Sequence, residues 1–66
     1  MDKARLMAEL VLAGKNVSWL ADELGISTQA MYKKISGQSS TTIEDAKAIS
    51  AALDLPPDKI KAIFFG

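Results

Sequence analysis

Four side chains in the middle of the chain carry the most specific chemistry. Thr28 and Tyr32 are four positions apart, and so are Gln29 and Lys33, within the segment TQAMYKKI. Residues at that spacing share one face of a helix, with Met31 and Ile35 turned to the opposite, inward face. A Gln amide pairs in bidentate fashion with adenine, a Lys ammonium donates to guanine O6 and N7, and a Thr methyl meets a thymine methyl. Tyr32 adds a ring that stacks on sugar or a hydroxyl that reaches a phosphate. A polar helix face of this composition suits the edges of bases in a major groove. Its amino-terminal residues Thr28 and Gln29 would enter deepest.

Phosphate contacts would come from the surroundings of that helix. Asn16, Ser18, Ser27, Lys34, Gln38, Ser39, Ser40 and Thr41 are the polar residues placed to make them. Backbone N–H groups at the amino ends of the second and fourth predicted helices add partial positive charge there.

Catalytic chemistry finds little support. The 66 residues include no histidine and no cysteine, which removes the commonest general base, the commonest metal ligand and every thiolate site. Asp22-Glu23 and Glu44-Asp45 read as helix-surface or first-turn carboxylates, explained by solubility and the helix dipole. Ser27 has no histidine to activate it, and the glycines stand singly, so no phosphate-cradling loop is formed. The expectation is a protein that is no enzyme and holds no cofactor or metal.

Formal net charge is zero, with eight basic and eight acidic residues, and 48% of the chain is apolar, too much for a disordered chain. Apolar runs are too short to span a membrane, and the start Met1-Asp2-Lys3 reads as a cytoplasmic amino terminus. Charge is unevenly distributed. Residues 24–43 hold Lys33 and Lys34 and no acid, whereas 44–58 hold Glu44, Asp45, Asp54 and Asp58 against Lys47 alone. The positive element therefore coincides with the polar helix face. With so few cations, the expected salt dependence of DNA binding is shallow, about 0.9 log units per phosphate neutralised.

The elements that must position these residues are all helical. No segment alternates strictly and no Asn-Gly or Asp-Gly hairpin pair occurs. Periodicity and punctuation predict five short helices in one domain, 1–66, at about 2–13, 17–24, 28–36, 43–53 and 57–64. Leu6, Leu10 and Ala13 face inward from the first, with Met7 and Val11 beside them. Val17, Leu20, Ala21 and Leu24 do so from the second, and Ile43, Ala46, Ile49 and Leu53 from the fourth. Asn16, Ser27 and Thr42 serve as N-caps, Thr42 forming a capping-box analogue with Asp45. Gly14, Gly25 and Gly37 end the first three helices, and Pro57 opens the fifth, which carries Ile60, Ile63 and Phe64. Gly25 and Ile26 make the turn between the second and third helices tight, so the two cross steeply and leave one face of the third uncovered.

Some apolar residues are left over. Leu12 and Trp19 fall outside the inward stripes, and a short last helix cannot bury Ile60, Ile63, Phe64 and Phe65 together. Leu12, Trp19, Ile63, Phe64 and Phe65 are thus candidate dimer or partner contacts. Trp19 has the plainer alternative of folding over the first helix or the loop at the third to cover core.

The run LADELGIS, the following TQAMYKKISG, the segment TIEDAKAISAALDL and the ending KIKAIFFG together resemble the phage repressor and Cro type of helix-turn-helix regulators (XRE-like), with the closest likeness to their short phage and prophage members. The resemblance covers nearly the whole chain. It implies a lambda repressor-like all-α fold, base reading by the residues matching Thr28, Gln29 and Lys33, and a homodimer on a roughly palindromic double-stranded operator. Regulation would proceed by steric competition with polymerase. The alternative from a different class is a protein-binding modulator, an antirepressor or antitoxin, that keeps the fold and uses its apolar surface on another protein.

Overall fold

The computed structural model describes all 66 residues and is helical throughout. Helices α1 (Lys3–Leu12), α2 (Val17–Leu24), α3 (Thr28–Ile35), α4 (Ile43–Leu53) and α5 (Pro57–Ile60) follow in order, and α5 runs on into a π-helical turn, Lys61–Phe65.

Each of the first four helices begins on a side-chain cap. Asp2 Oδ1 accepts from the Arg5 N–H, Asn16 Oδ1 from Trp19, Ser27 Oγ from Ala30, and Thr42 Oγ1 from Asp45. At α4 the capping box is reciprocal, because Asp45 Oδ2 accepts from the Thr42 N–H at 3.1 Å. Asp therefore replaces the longer Glu without loss of either bond. α5 opens on proline instead, with Pro57 inside its first turn.

The four helix ends share one closure. Gly14, Gly25, Gly37 and Asp54 take positive φ, and the next N–H folds back to a carbonyl five residues earlier: Lys15 to Leu10, Ile26 to Ala21, Gln38 to Lys33, Leu55 to Ser50. Orphan carbonyls at the helix ends are satisfied in this way. Asp54 does at φ 52° what glycine does at the other three, a placement aspartate tolerates better than bulkier residues. Two closures also aim an apolar residue inward. Ile26 packs against the core between α2 and α3, and Leu55 is buried after α4.

The core comprises Leu6 and Leu10 from α1, Val17, Leu20 and Ala21 from α2, Met31 and Ile35 from α3, Ala46 and Ile49 from α4, then Leu55 and Ile63; no polar side chain is buried among them. Several expected inward residues lie elsewhere. Ala13 and Val11 are exposed at the end of α1, and Leu24 and Leu53 are half-buried. Ile43 is 65% exposed, because the first residue of α4 overhangs the core rather than entering it, and Leu55 supplies the apolar bulk from the other end of that helix.

The fifth helix also differs from expectation. A regular helix to residue 64 is replaced by one α-turn and a wider π-turn, whose hydrogen bonds reach one residue further. In that geometry Ile63 is buried and its carbonyl accepts from the Asp2 N–H at 2.7 Å, so the chain's last turn closes over its first.

Candidate nucleic-acid interface

α2 and α3 are joined by Gly25, Ile26 and Ser27 alone. Gly25 sits at φ +70°, where a β-carbon would strain the backbone although nothing stands within 4 Å of it. Ile26 fills the junction, and Met31 and Ile35 hold α3 down on Leu20 and the rest of the core. Packing thus fixes one face of α3 and leaves its opposite face free.

That free face carries Thr28, Gln29, Tyr32 and Lys33, all exposed. None of the four side chains enters the intramolecular hydrogen bonds or ion pairs of the protein, which involve other groups throughout. Their donors and acceptors remain available to a ligand, while the helix beneath them is rigidly seated. Lys33 is the unpaired cation of this face.

Lys34 is engaged within the protein. Expected at a phosphate, it directs its ammonium to Asp45 Oδ2 at 2.9 Å, with both side chains only 20% exposed. Lys34 lies in the last turn of α3 and Asp45 in the first turn of α4, and the long lysine side chain spans the two to reach the capping carboxylate. The Lys34 ammonium, followed by the Thr42 backbone N–H, holds the Asp45 carboxyl below its ordinary value against a smaller opposing effect of burial.

The other residues singled out for phosphate contact are accessible to different degrees. Asn16, Ser18, Ser27, Gln38 and Ser40 are exposed, and Ser39 and Thr41 are half-buried. Asn16 uses its carbonyl oxygen, and Ser27 accepts through its hydroxyl oxygen, in their caps. The Asn16 amide and the Ser27 O–H therefore keep donors to offer. Ser39, Ser40, Thr41 and Thr42 border a concavity of about 380 Å³ between the α3–α4 loop and Phe65.

A cation not among the residues singled out above adjoins this set. Lys15 precedes the Asn16 cap, and its Nζ stands 5.2 Å from the centre of the Trp19 ring. The four-residue spacing of Lys15 and Trp19 was the available signal. Trp19 itself is half-buried and packs against the core.

The apolar candidates divide. Ile63 is buried at 3% exposure and offers nothing to a partner, and Phe64 is half-buried against the core. Phe65 is 68% exposed and shares a shallow groove with Ile43, Ala46, Lys47, Ser50 and Ile60. Leu12 is exposed, with Val11 exposed beside it. No helix is long and apolar enough to cross a membrane.

With this geometry in place, comparison with family models gives a match to the helix-turn-helix model over residues 6–60, five-sixths of the chain. The chain belongs to this helix-turn-helix family. The matched span opens at the buried Leu6 and closes at Ile60, so it takes in most of α1 and the whole of α2, α3, α4 and α5. Membership makes the protein a DNA-binding regulator of helix-turn-helix type, with α3 in the position of the second helix of the motif. Comparison with curated proteins and with solved structures gives no significant match.

Proposed function

We propose that this helix-turn-helix protein is a transcriptional regulator of the phage or prophage type, Cro-like or a short repressor, that binds an operator as a dimer. α3 would lie in the major groove with Thr28 and Gln29 deepest and Tyr32 and Lys33 following. Asn16, Ser18, Ser27 and the loop Gln38–Thr41 would fix register on phosphates. The observation that carries this reading is the outer face of α3, four polar side chains without internal partners on a helix anchored by Met31 and Ile35. Phe65 and Ile43 would meet their symmetry mates, since a two-fold protein matches a palindromic site. The reading includes no catalytic role. Asp45, whose pKa is clearly displaced, is occupied by a cap and an ion pair.

Selection from a random duplex pool at low salt tests it, with Gln29→Ala/Lys33→Ala protein as control. A two-fold symmetric motif lost by the control supports base reading through α3. Failure to enrich any motif, with the protein folded by circular dichroism, would refute it. The adjacent exposed Val11 and Leu12 favour the second reading, a modulator acting on another protein. Under that reading Leu12→Ser abolishes function, whereas Gln29→Ala does not.

A further inference from the structure

Lys34 and Asp45 belong to the two elements that flank the α3–α4 loop. Lys34 lies in the last turn of α3, and Asp45 lies in the first turn of α4. A single oxygen, Asp45 Oδ2, accepts from Lys34 Nζ at 2.9 Å and from the Thr42 N–H at 3.1 Å. Lys34 also borders the concavity formed with Gly37, Ser39, Ser40, Thr41 and Thr42, where the backbone of a duplex would run on the reading above. A cation thus stands beside the phosphate-facing loop, yet its charge is cancelled by the carboxylate of the cap.

We infer that Asp45 is a specificity-determining residue that withholds Lys34 from the DNA backbone. The proposal rests on DNA binding through α3 and adds to it. Non-specific affinity is set almost wholly by cations that neutralise phosphates, whereas neutral groups reading base edges discriminate among sequences. Between residues 24 and 43 the chain has two lysines, and Asp45 removes one of them from that count. Lys33 remains, with the uncharged Thr28, Gln29 and Tyr32 beside it. The chain thereby keeps its sequence-independent attraction low, and base contacts decide where it stays. Asp45 acts through Lys34 and the loop, so it is a positioning residue and does not itself touch DNA.

The test compares salt slopes of binding to a selected site and to a random duplex, for wild type, Asp45→Asn, Lys34→Met and the double variant. Asparagine keeps an oxygen for the Thr42 N–H and removes the charge. Asp45→Asn should steepen the slope by about 0.9 log units per protomer on both duplexes. It should also tighten random-duplex binding several-fold and lower the ratio of specific to random affinity. The double variant, which deletes the pair without changing net charge, should return the slope to the wild-type value. Lys34→Met alone keeps the cap, so it serves if Asp45→Asn does not fold, and its slope should not fall by a full phosphate. A fall of about 0.9 per protomer in Lys34→Met or in the double variant would mean that Lys34 already touches phosphate, and would overturn the proposal. Wild-type binding with an unaltered slope in Asp45→Asn would also overturn it, while leaving DNA recognition standing. Absence of wild-type binding at any salt concentration would overturn both.

Discussion

Lys59 Nζ donates to both carboxylate oxygens of Glu9, at 2.8 Å and 3.1 Å, across fifty positions of the sequence. The pair straps α5 to α1 on the same side of the molecule where the Asp2 N–H meets the Ile63 carbonyl. These contacts close the two ends of the chain on each other and seat Ile63 in the core. The Lys59 side chain is 41% exposed, so water screens much of the attraction. A double-mutant cycle with Glu9→Gln and Lys59→Met should give a coupling of about 0.5–1 kcal/mol by urea unfolding. A coupling above about 2 kcal/mol would indicate a pair far drier than this geometry provides.

Asp45 makes stability depend on pH in a definite direction. Its carboxyl is held below the ordinary value of 3.8, first by the Lys34 ammonium and then by the Thr42 N–H. A carboxylate with a lowered folded-state pKa contributes stability that is fully present above its unfolded value, about 3.9, and is lost as pH falls through the folded value. Thermal melts from neutral to strongly acidic pH should therefore show wild type and Asp45→Asn converging as acid protonates Asp45. Two parallel curves, offset by the same amount at every pH, would assign the effect to hydrogen-bond geometry and leave the charge without a role.

The features legible in the sequence are those that depend on near neighbours. Asn16, Ser27 and Thr42 cap because each bonds an N–H three residues ahead, and Gly25 ends α2 because its own φ is positive. The free face of α3 follows from spacing alone once Met31 and Ile35 are recognised as inward. What spacing does not report is what lies over a helix. Ile43 satisfies the period of α4 and is still exposed, because the core stops short of that helix's first residue. Lys34–Asp45 and Glu9–Lys59 join different helices, and no local pattern encodes such a pairing. Asp54 carries no signal as decisive as glycine for positive φ, so the inward turn of Leu55 has no local marker in the sequence. Of the apolar residues that a short last helix cannot bury together, the widened last turn buries Ile63 and leaves Phe65 exposed, and composition does not announce that turn.

Gly25 offers a separate check on the turn. A β-carbon there meets no atom within 4 Å, so substitution is resisted by backbone conformation and not by crowding. Gly25→Ala should destabilise the fold by about 1–2 kcal/mol, the usual cost of a left-handed residue. Gly25→Asn should cost less, since asparagine visits that region more readily, as Asp54 does here at φ 52°. Equal losses for the two variants, measured by denaturant unfolding with unchanged m-values, would point to a steric clash that this turn does not contain.

Phe65 and Ile43 supply the sharpest test of the dimer. Both are more than three-fifths exposed, and they border the same groove with Ile60 and Ala46. Replacing either by serine removes apolar area that is already in water, so monomer stability should change by less than about 0.5 kcal/mol. If this groove is the two-fold contact, Phe65→Ser should shift sedimentation toward the monomer at high micromolar concentration. It should also weaken binding to a palindromic site far more than to an isolated half-site, because only the former uses the protein–protein contact. Wild-type protein that sediments as a monomer and binds both half-sites independently would assign Phe65 to an exposed chain end, and the dimer would then have to be sought at Val11 and Leu12.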